Sequence, residues 1–167
     1  MTDKTAKQHI DVIQADYHNP NHGNDLVKLL NGYAQDPMGG GEPLSQYTQD
    51  NLVDTLKQRQ DAFSILCYVD GQPAGLINCF EMFSTFKCKP LINIHDVTVD
   101  KAYRGLGLSQ KMLEKVEQIA LERGCCKLVL EILEGNTVAK NAYAKFGFKG
   151  YELDPKMGHA VFWEKGI

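Results

Sequence analysis

The stretch YRGLGLSQKML, residues 103–113, sets an arginine and two glycines against the start of an apolar-periodic segment. A helix start presents unpaired N–H groups and the positive end of a dipole, and glycine lets a backbone come close to a ligand. The N–H groups of Gly105, Leu106, Gly107, Leu108, Ser109 and Gln110 would then converge on one anion, with Arg104 adding a positive charge beside it. A phosphate suits that point, and the dipole alone favours it by roughly 0.3–2 kcal/mol. The pattern is not a P-loop, since no G-K-[ST] follows, nor G-x-G-x-x-G, since Gln110 holds the third place. A flexible strand–helix corner is the other reading of the same residues.

A second set lies in EGNTVAKNAYAKFGF, residues 134–148. Asn136 stands near a helix start and Tyr143 follows two turns later, which brings both nearly to one face. Taken alone, Tyr143 reads equally as an aromatic packed beside Val138, Ala139 and Phe146.

The elements that must position these residues follow from periodicity and punctuation. HIDVIQADY (9–17) reads as a strand, broken by NPNHGN, and DLVKLLNGYA (25–34) as a helix with Leu26, Leu29, Leu30 and Tyr33 at helical spacing. QDPMGGGEPLS (35–45) is a glycine- and proline-rich loop, and residues 45–60 are a second helix. Residues 62–84 are two strands about the turn DGQP, and PLINIHDVTV (90–99) is another. Residues 107–124 form a strongly amphipathic helix with Met112, Val116, Ile119 and Ala120 in its stripe. A strand at 126–133, a helix at 136–147 and a hairpin of FKGYELD and HAVFWEK across PKMG complete the chain. Strand–helix–strand units of this kind predict an α/β domain with a mixed sheet.

Composition bounds the function. A formal charge of −3 and a pI of about 5.9 argue against a chain-wide basic surface for nucleic acid or acidic membranes. No stretch approaches the ~18 apolar residues of a membrane span. The start, MTDKTAKQHI, has no apolar core and is not read as a secretory signal, so cytoplasmic residence is expected. Cys67, Cys79, Cys88, Cys125 and Cys126 show no metal-ligand spacing, so no metal is expected and the thiols read as reduced.

The motif R-G-x-G-x-[GAS] after a strand, followed by N-x-x-A-x-x-x-Y-x-x-x-G-F, resembles the GNAT superfamily of N-acetyltransferases. Arg104, Gly105 and Gly107 match the first part; Asn136, Ala139, Tyr143, Gly147 and Phe148 match the second. Ser109 stands where glycine or alanine is commoner, yet it can still give its N–H. STF, IHDVTV and the acceptor loop further resemble the branch containing the spermidine/spermine and thialysine acetyltransferases. The resemblance implies one domain with its core at about 9–165, and a mixed sheet splayed between strands 4 and 5 and flanked by about four helices. It implies acetyl-CoA in the V between residues 91–99 and 126–132, and pantetheine paired with the backbone of Val97, Thr98 and Val99. The pyrophosphate would sit on the amides from Gly105 to Gln110. Asn136 would hold the pantetheine arm or a nearby backbone group, and Tyr143 would protonate the departing thiolate.

The acceptor side stays more open. An alkylamine of pKa ~10 is only about 0.1% neutral at pH 7, so a base or water chain should help. His95 and Asp96 lie on the central strand near the expected splay. The polyamine-type enzymes carry a carboxylate where His95 falls, and a histidine could do the same work. His95 could instead simply pair with Asp96 or a backbone group. Asp96 could be the base, orient the amine or be structural, and Glu81 and Glu131 are further candidates. Asp36 and Glu42, beside the glycine run, would favour a cationic amine, or merely belong to a solvated loop. The expected acceptor is a small-molecule amine. A protein N-terminus or lysine, and a non-catalytic acyl-CoA sensor, are the competing readings. A homodimer is also expected, with the strand bearing Trp163 packed between subunits; otherwise Trp163 fills its own core.

Overall fold

A computed structural model describes residues 8–167. The stretch MTDKTAK, part of the segment read above as carrying no secretory signal, lies outside them. The chain divides into two compact units, one ending at Leu130 and one beginning at Glu131.

The first unit is a five-stranded sheet in sequential order, with strands β1 (Ile10–Gln14), β2 (Ala62–Val69), β3 (Gln72–Ser84), β4 (Lys89–Val99) and β5 (Leu128–Leu130). β1 to β4 pair antiparallel, and β5 joins β4 in parallel. Three helices accompany it: α1 (Pro20–Gln35), α2 (Gln46–Lys57) and α3 (Leu108–Glu122). This is the α/β architecture with a mixed sheet that the element order predicts.

The helices cover opposite faces of the sheet. Leu76 of β3 is buried with Leu26 and Leu29 of α1, Leu56 of α2 and Leu66 of β2. Its neighbour Gly75 faces the other way, where an added Cβ would stand 2.8 Å from Met112 Cε of α3. On that face Leu108, Met112, Leu113 and Val116 are buried, each side chain favouring the fold by roughly 1.5–3 kcal/mol over exposure.

α1 begins five residues before the predicted start. Asn19 is an N-cap whose side chain accepts from Asn21 N–H at 2.9 Å, and Pro20 takes the first helical position, so these residues start a helix rather than break a strand. Gly23 lies inside the helix, where a Cβ would crowd Val53 Cγ1 of α2 at 3.1 Å.

The second unit, residues 131–167, holds the helix α4 (Thr137–Phe146). Gly147 ends it in the left-handed conformation at φ 111°, donating to the carbonyls of Tyr143 and Ala144. The predicted hairpin does not form. Among the described residues no strand follows β5, and FKGYELD and HAVFWEK share one backbone hydrogen bond, from Ala160 N–H to Tyr151 C=O at 3.5 Å, and a contact of His159 Nδ1 with Glu152 Oε2 at 3.6 Å, around a short 3-10 turn at Pro155–Met157. Trp163 is 85% exposed and fills no core. Two strands alone bury too little to be stable, and these find no third within their unit. β5 is likewise shorter than the predicted 126–133, because its pairing spans only Leu128 to Leu130.

Candidate active site

β4 carries the first elements of the site. Its pairing with β3 runs Asn78↔Asp96 and then Cys79↔Ile94, which leaves His95 as an extra residue in a β-bulge. Regular alternation would send His95 and Asp96 to opposite faces. The bulge instead lets both line one cavity of about 320 Å³, together with Leu30, Tyr33, Leu52, Asn78 and Phe80. His95 meets Phe80 edge to face, with ring centroids 5.5 Å apart. Asp96 accepts from Asn78 Nδ2 at 3.0 Å. Tyr33 keeps its phenol proton more firmly than usual, first through burial and then through the nearby charges of Asp96 and Asp36.

The same strand offers an open edge. Val97, Thr98 and Val99 pair with Ile77, Leu76 and Gly75 on one side. On the other, the parallel pairing with β5 stops at Ile94↔Leu130, so residues 95–99 have no strand partner there among the described residues. This is where the sheet opens between strands 4 and 5.

The loop after β4 leads to the start of α3. Asp100 turns the chain by accepting from Ala102 N–H at 2.8 Å. Gly105 and Gly107 both hold left-handed backbone, with φ 84° and 71°. Gly107 is the N-cap of α3 and supplies no side-chain cap, while the first carbonyl–amide bond runs from Lys111 N–H to Gly107 C=O at 3.3 Å. Space for a Cβ at either glycine is open to 4 Å. An uncapped helix start beside such space fits an anionic group such as a pyrophosphate. Leu108 is buried in the α3 core, so only its backbone could serve a ligand, while Ser109 and Gln110 are half-buried and Leu106 likewise.

Arg104 does not stand alone beside this loop. Its Nη2 lies 3.6 Å from Asp36 Oδ2. Asp36 in turn organises the glycine loop, accepting from Met38 N–H at 3.0 Å on its side chain and from Gly39 and Gly41 N–H on its carbonyl. The Met38 hydrogen bond, followed by the charges of Lys101 and Arg104, holds the Asp36 carboxyl below its usual range. Gly39 must lack a Cβ, which would collide with the Tyr33 carbonyl. Glu42 is exposed. Glu81 is bound by Arg123 at 3.1 Å and does not line the cavity.

Asn136 and Tyr143 belong to the second unit. Asn136 is the N-cap of α4, its Oδ1 accepting from Ala139 N–H at 3.2 Å. The Tyr143 ring meets Phe148 edge to face, with centroids 5.9 Å apart. Glu131 is exposed in the same unit.

Several residues of the site escaped the sequence reading. Ser64 and Asn78 are buried polar residues inside apolar strands, and Tyr17 closes a chain with them. Their signal was a lone polar residue in AFSILCYV and in GLINCF. Cys67 and Cys79 are buried, and burial raises the thiol of Cys67 to about 11, as suits inert core residues. Among the described residues no group of three or more His, Cys, Asp or Glu is placed to hold a metal ion. Nor is any helix there long and apolar enough to cross a membrane.

The chain is similar to glucosamine 6-phosphate N-acetyltransferase 1 of Dictyostelium discoideum, 26% identical over 116 residues, which are 65% of this chain and 73% of that protein. It is 37% identical over 65 residues to the thialysine N-epsilon-acetyltransferase of Bos taurus, a match spanning 39% of this chain and 38% of that one. Among solved structures, an aminoglycoside N-acetyltransferase in complex with CoA shares the fold with a TM-score of 0.73 at 15% identity, covering 98% of this chain and 99% of the other. Residues 25–148 match the acetyltransferase (GNAT) family, and the chain belongs to that family of N-acetyltransferases.

Proposed function

We propose that the protein transfers the acetyl group of acetyl-CoA to a primary amine of a small molecule, in the cytoplasm, with residues 9–165 acting as one acetyltransferase domain. The observation that carries this reading is the bulge at His95, which turns two adjacent polar side chains into one cavity beside an open strand edge. Backbone groups of Val97 to Val99 along that edge would bind pantetheine. The uncapped start of α3, with Arg104 to Gln110, would take the pyrophosphate.

The chemistry then divides among this chain's residues. Asp96 would attract the cationic amine into the cavity, and His95 would accept its proton, directly or through water, leaving a nucleophilic nitrogen. That nitrogen attacks the thioester carbonyl: the C–N bond forms, the C–S bond breaks, and the nitrogen releases its surplus proton to water. Tyr143 would donate its phenol proton to the departing thiolate, a role that rests on its match to the family motif. Asn136 would fix the start of α4 so that Tyr143 is held in place. A cavity of about 320 Å³ favours a small acceptor over a protein segment. The named amines of the relatives, a sugar amine phosphate and thialysine, are of that size class. A homodimer belongs to the same reading, with the exposed Phe162 and Trp163 available to a second copy.

The test is a panel of diamines, polyamines, amino acids, amino sugars and N-terminal peptides with acetyl-CoA, following released thiol. Turnover of a small amine supports the reading. Turnover of peptides alone supports a protein acceptor, and tight CoA binding with no thiol release supports a sensor. A concentration-independent mass near 18.7 kDa in sedimentation would remove the dimer.

A further inference from the structure

A line of hydrogen bonds runs behind Asp96 into the sheet. Asp96 Oδ2 accepts from Asn78 Nδ2 at 3.0 Å, Asn78 Oδ1 accepts from Ser64 Oγ at 2.6 Å, and Ser64 Oγ lies 2.8 Å from Tyr17 OH. Three strands and the β1–α1 connection contribute one residue each. Ser64 is fully buried and Asn78 is 4% exposed, in a layer otherwise filled by Leu66 and Leu76.

The direction of every bond is fixed. An ionised carboxylate only accepts, so the amide of Asn78 must turn its NH2 to Asp96 and its oxygen to Ser64. The single proton of Ser64 is then committed to Asn78, and Tyr17 must donate to Ser64. Tyr17 retains its phenol proton, since burial raises its pKa despite the Ser64 contact. All three donors therefore point toward Asp96. Such buried polar groups are costly unless satisfied, and no buried side-chain polar atom among the described residues lacks a partner. An apolar trio would fill the same layer at lower risk, so packing alone does not account for the chain of polar residues.

We infer that Tyr17, Ser64 and Asn78 are positioning residues: they hold the Asp96 carboxylate in a single orientation at the bulge, ready to bind an ammonium. An amide in the middle of the line cannot readily relay protons, so the line orients and polarises rather than conducts. The inference rests on the acetyl-transfer reading above and deepens it, by making acceptor capture depend on Tyr17 and Ser64, which do not line the cavity, through Asn78, which does.

The experiment is steady-state kinetics on the full chain, with the amine found by the panel and with acetyl-CoA varied separately. Asn78→Leu should raise the KM for the amine by roughly 10–100-fold, the span for a hydrogen bond to a charged group, while the KM for acetyl-CoA changes little. Ser64→Ala should show a smaller rise in the same constant, and Ser64→Thr, which keeps the hydroxyl, should restore it. Tyr17→Phe should give the smallest rise, about 2–5-fold. In an Asp96→Asn background, Asn78→Leu should add nothing, because its effect passes through that carboxylate. Thermal unfolding monitors the fold, and if Asn78→Leu does not fold, the Ser64 pair carries the same test. Additive losses, or equal losses in both KM values, would overturn the positioning role. Wild-type turnover with an unchanged amine KM in the folded variants would overturn it while leaving acetyl transfer in place. A wild-type protein that acetylates no amine would overturn both.

Discussion

Arg104 Nη2 lies 3.6 Å from Asp36 Oδ2, so one ion pair ties the loop before α2 to the loop that opens α3. If Arg104 assists phosphate binding, Asp36 competes for it. Asp36→Asn should then raise CoA affinity by roughly two- to five-fold, the range of an exposed ion pair, and Arg104→Ala should lower it. Calorimetry with CoA checks both, and a weaker affinity in Asp36→Asn would contradict the competition. Because the folded Asp36 carboxyl is held low, its contribution to loop order is present above the usual carboxylate range. That contribution is lost as pH falls through the depressed value.

Gly107→Glu places a side chain and a negative charge in the open space at the start of α3. CoA affinity should fall steeply. The left-handed φ of 71° adds strain for any non-glycine residue, so Gly107→Asn, which tolerates that backbone better, serves as the control. Calorimetry beside a melting curve separates the two effects. Unchanged CoA binding in folded Gly107→Glu would remove the phosphate role of this loop.

His95→Ala should reduce kcat/KM for the amine by roughly 10²-fold at pH 7, the lower end for a general base. The defect should shrink as pH rises toward the amine's own pKa of ~10, where the acceptor is already neutral. A defect that stays constant from pH 7 to 9.5 would mean that His95 shapes the cavity against Phe80 and takes no proton.

Tyr143→Phe keeps the ring and its edge contact with Phe148 but deletes the hydroxyl. Loss of a general acid should lower kcat by roughly 10²–10⁴-fold with little change in substrate KM. Near-wild-type kcat would return Tyr143 to a packing role and leave the family assignment untouched.

Much of the fold was legible because its determinants are local. Leucines at helical spacing, glycines at turns and strand-length apolar runs set α1 to α4 and β1 to β4 within a few residues. α1 was read short because Asn19 and Pro20 look like a turn until a helix is seen to follow them. The C-terminal strands were overread for the opposite reason. FKGYELD and HAVFWEK have strand composition, but a strand needs a partner with free backbone groups, and composition says nothing about who that partner is.

By itself the sequence determined the backbone chemistry at the head of α3. Gly105 and Gly107 are free to take the left-handed angles they show, and the helix start that follows them, without a side-chain cap, favours an anion. It also supplied His95 and Asp96 as neighbours on one strand. Only the tertiary structure decided that these two share a cavity, since adjacent strand residues point apart unless a bulge adds a residue to one strand alone, and that depends on how β3 pairs with β4. It likewise decided the polar line behind Asp96. Tyr17, Ser64, Asn78 and Asp96 lie far apart in the chain, and only the pairing of three strands brings their hydrogen-bonding groups to within 3.0 Å of each other in sequence. Burial then makes those bonds obligatory, because a polar group shut away from water must find its partner inside the protein.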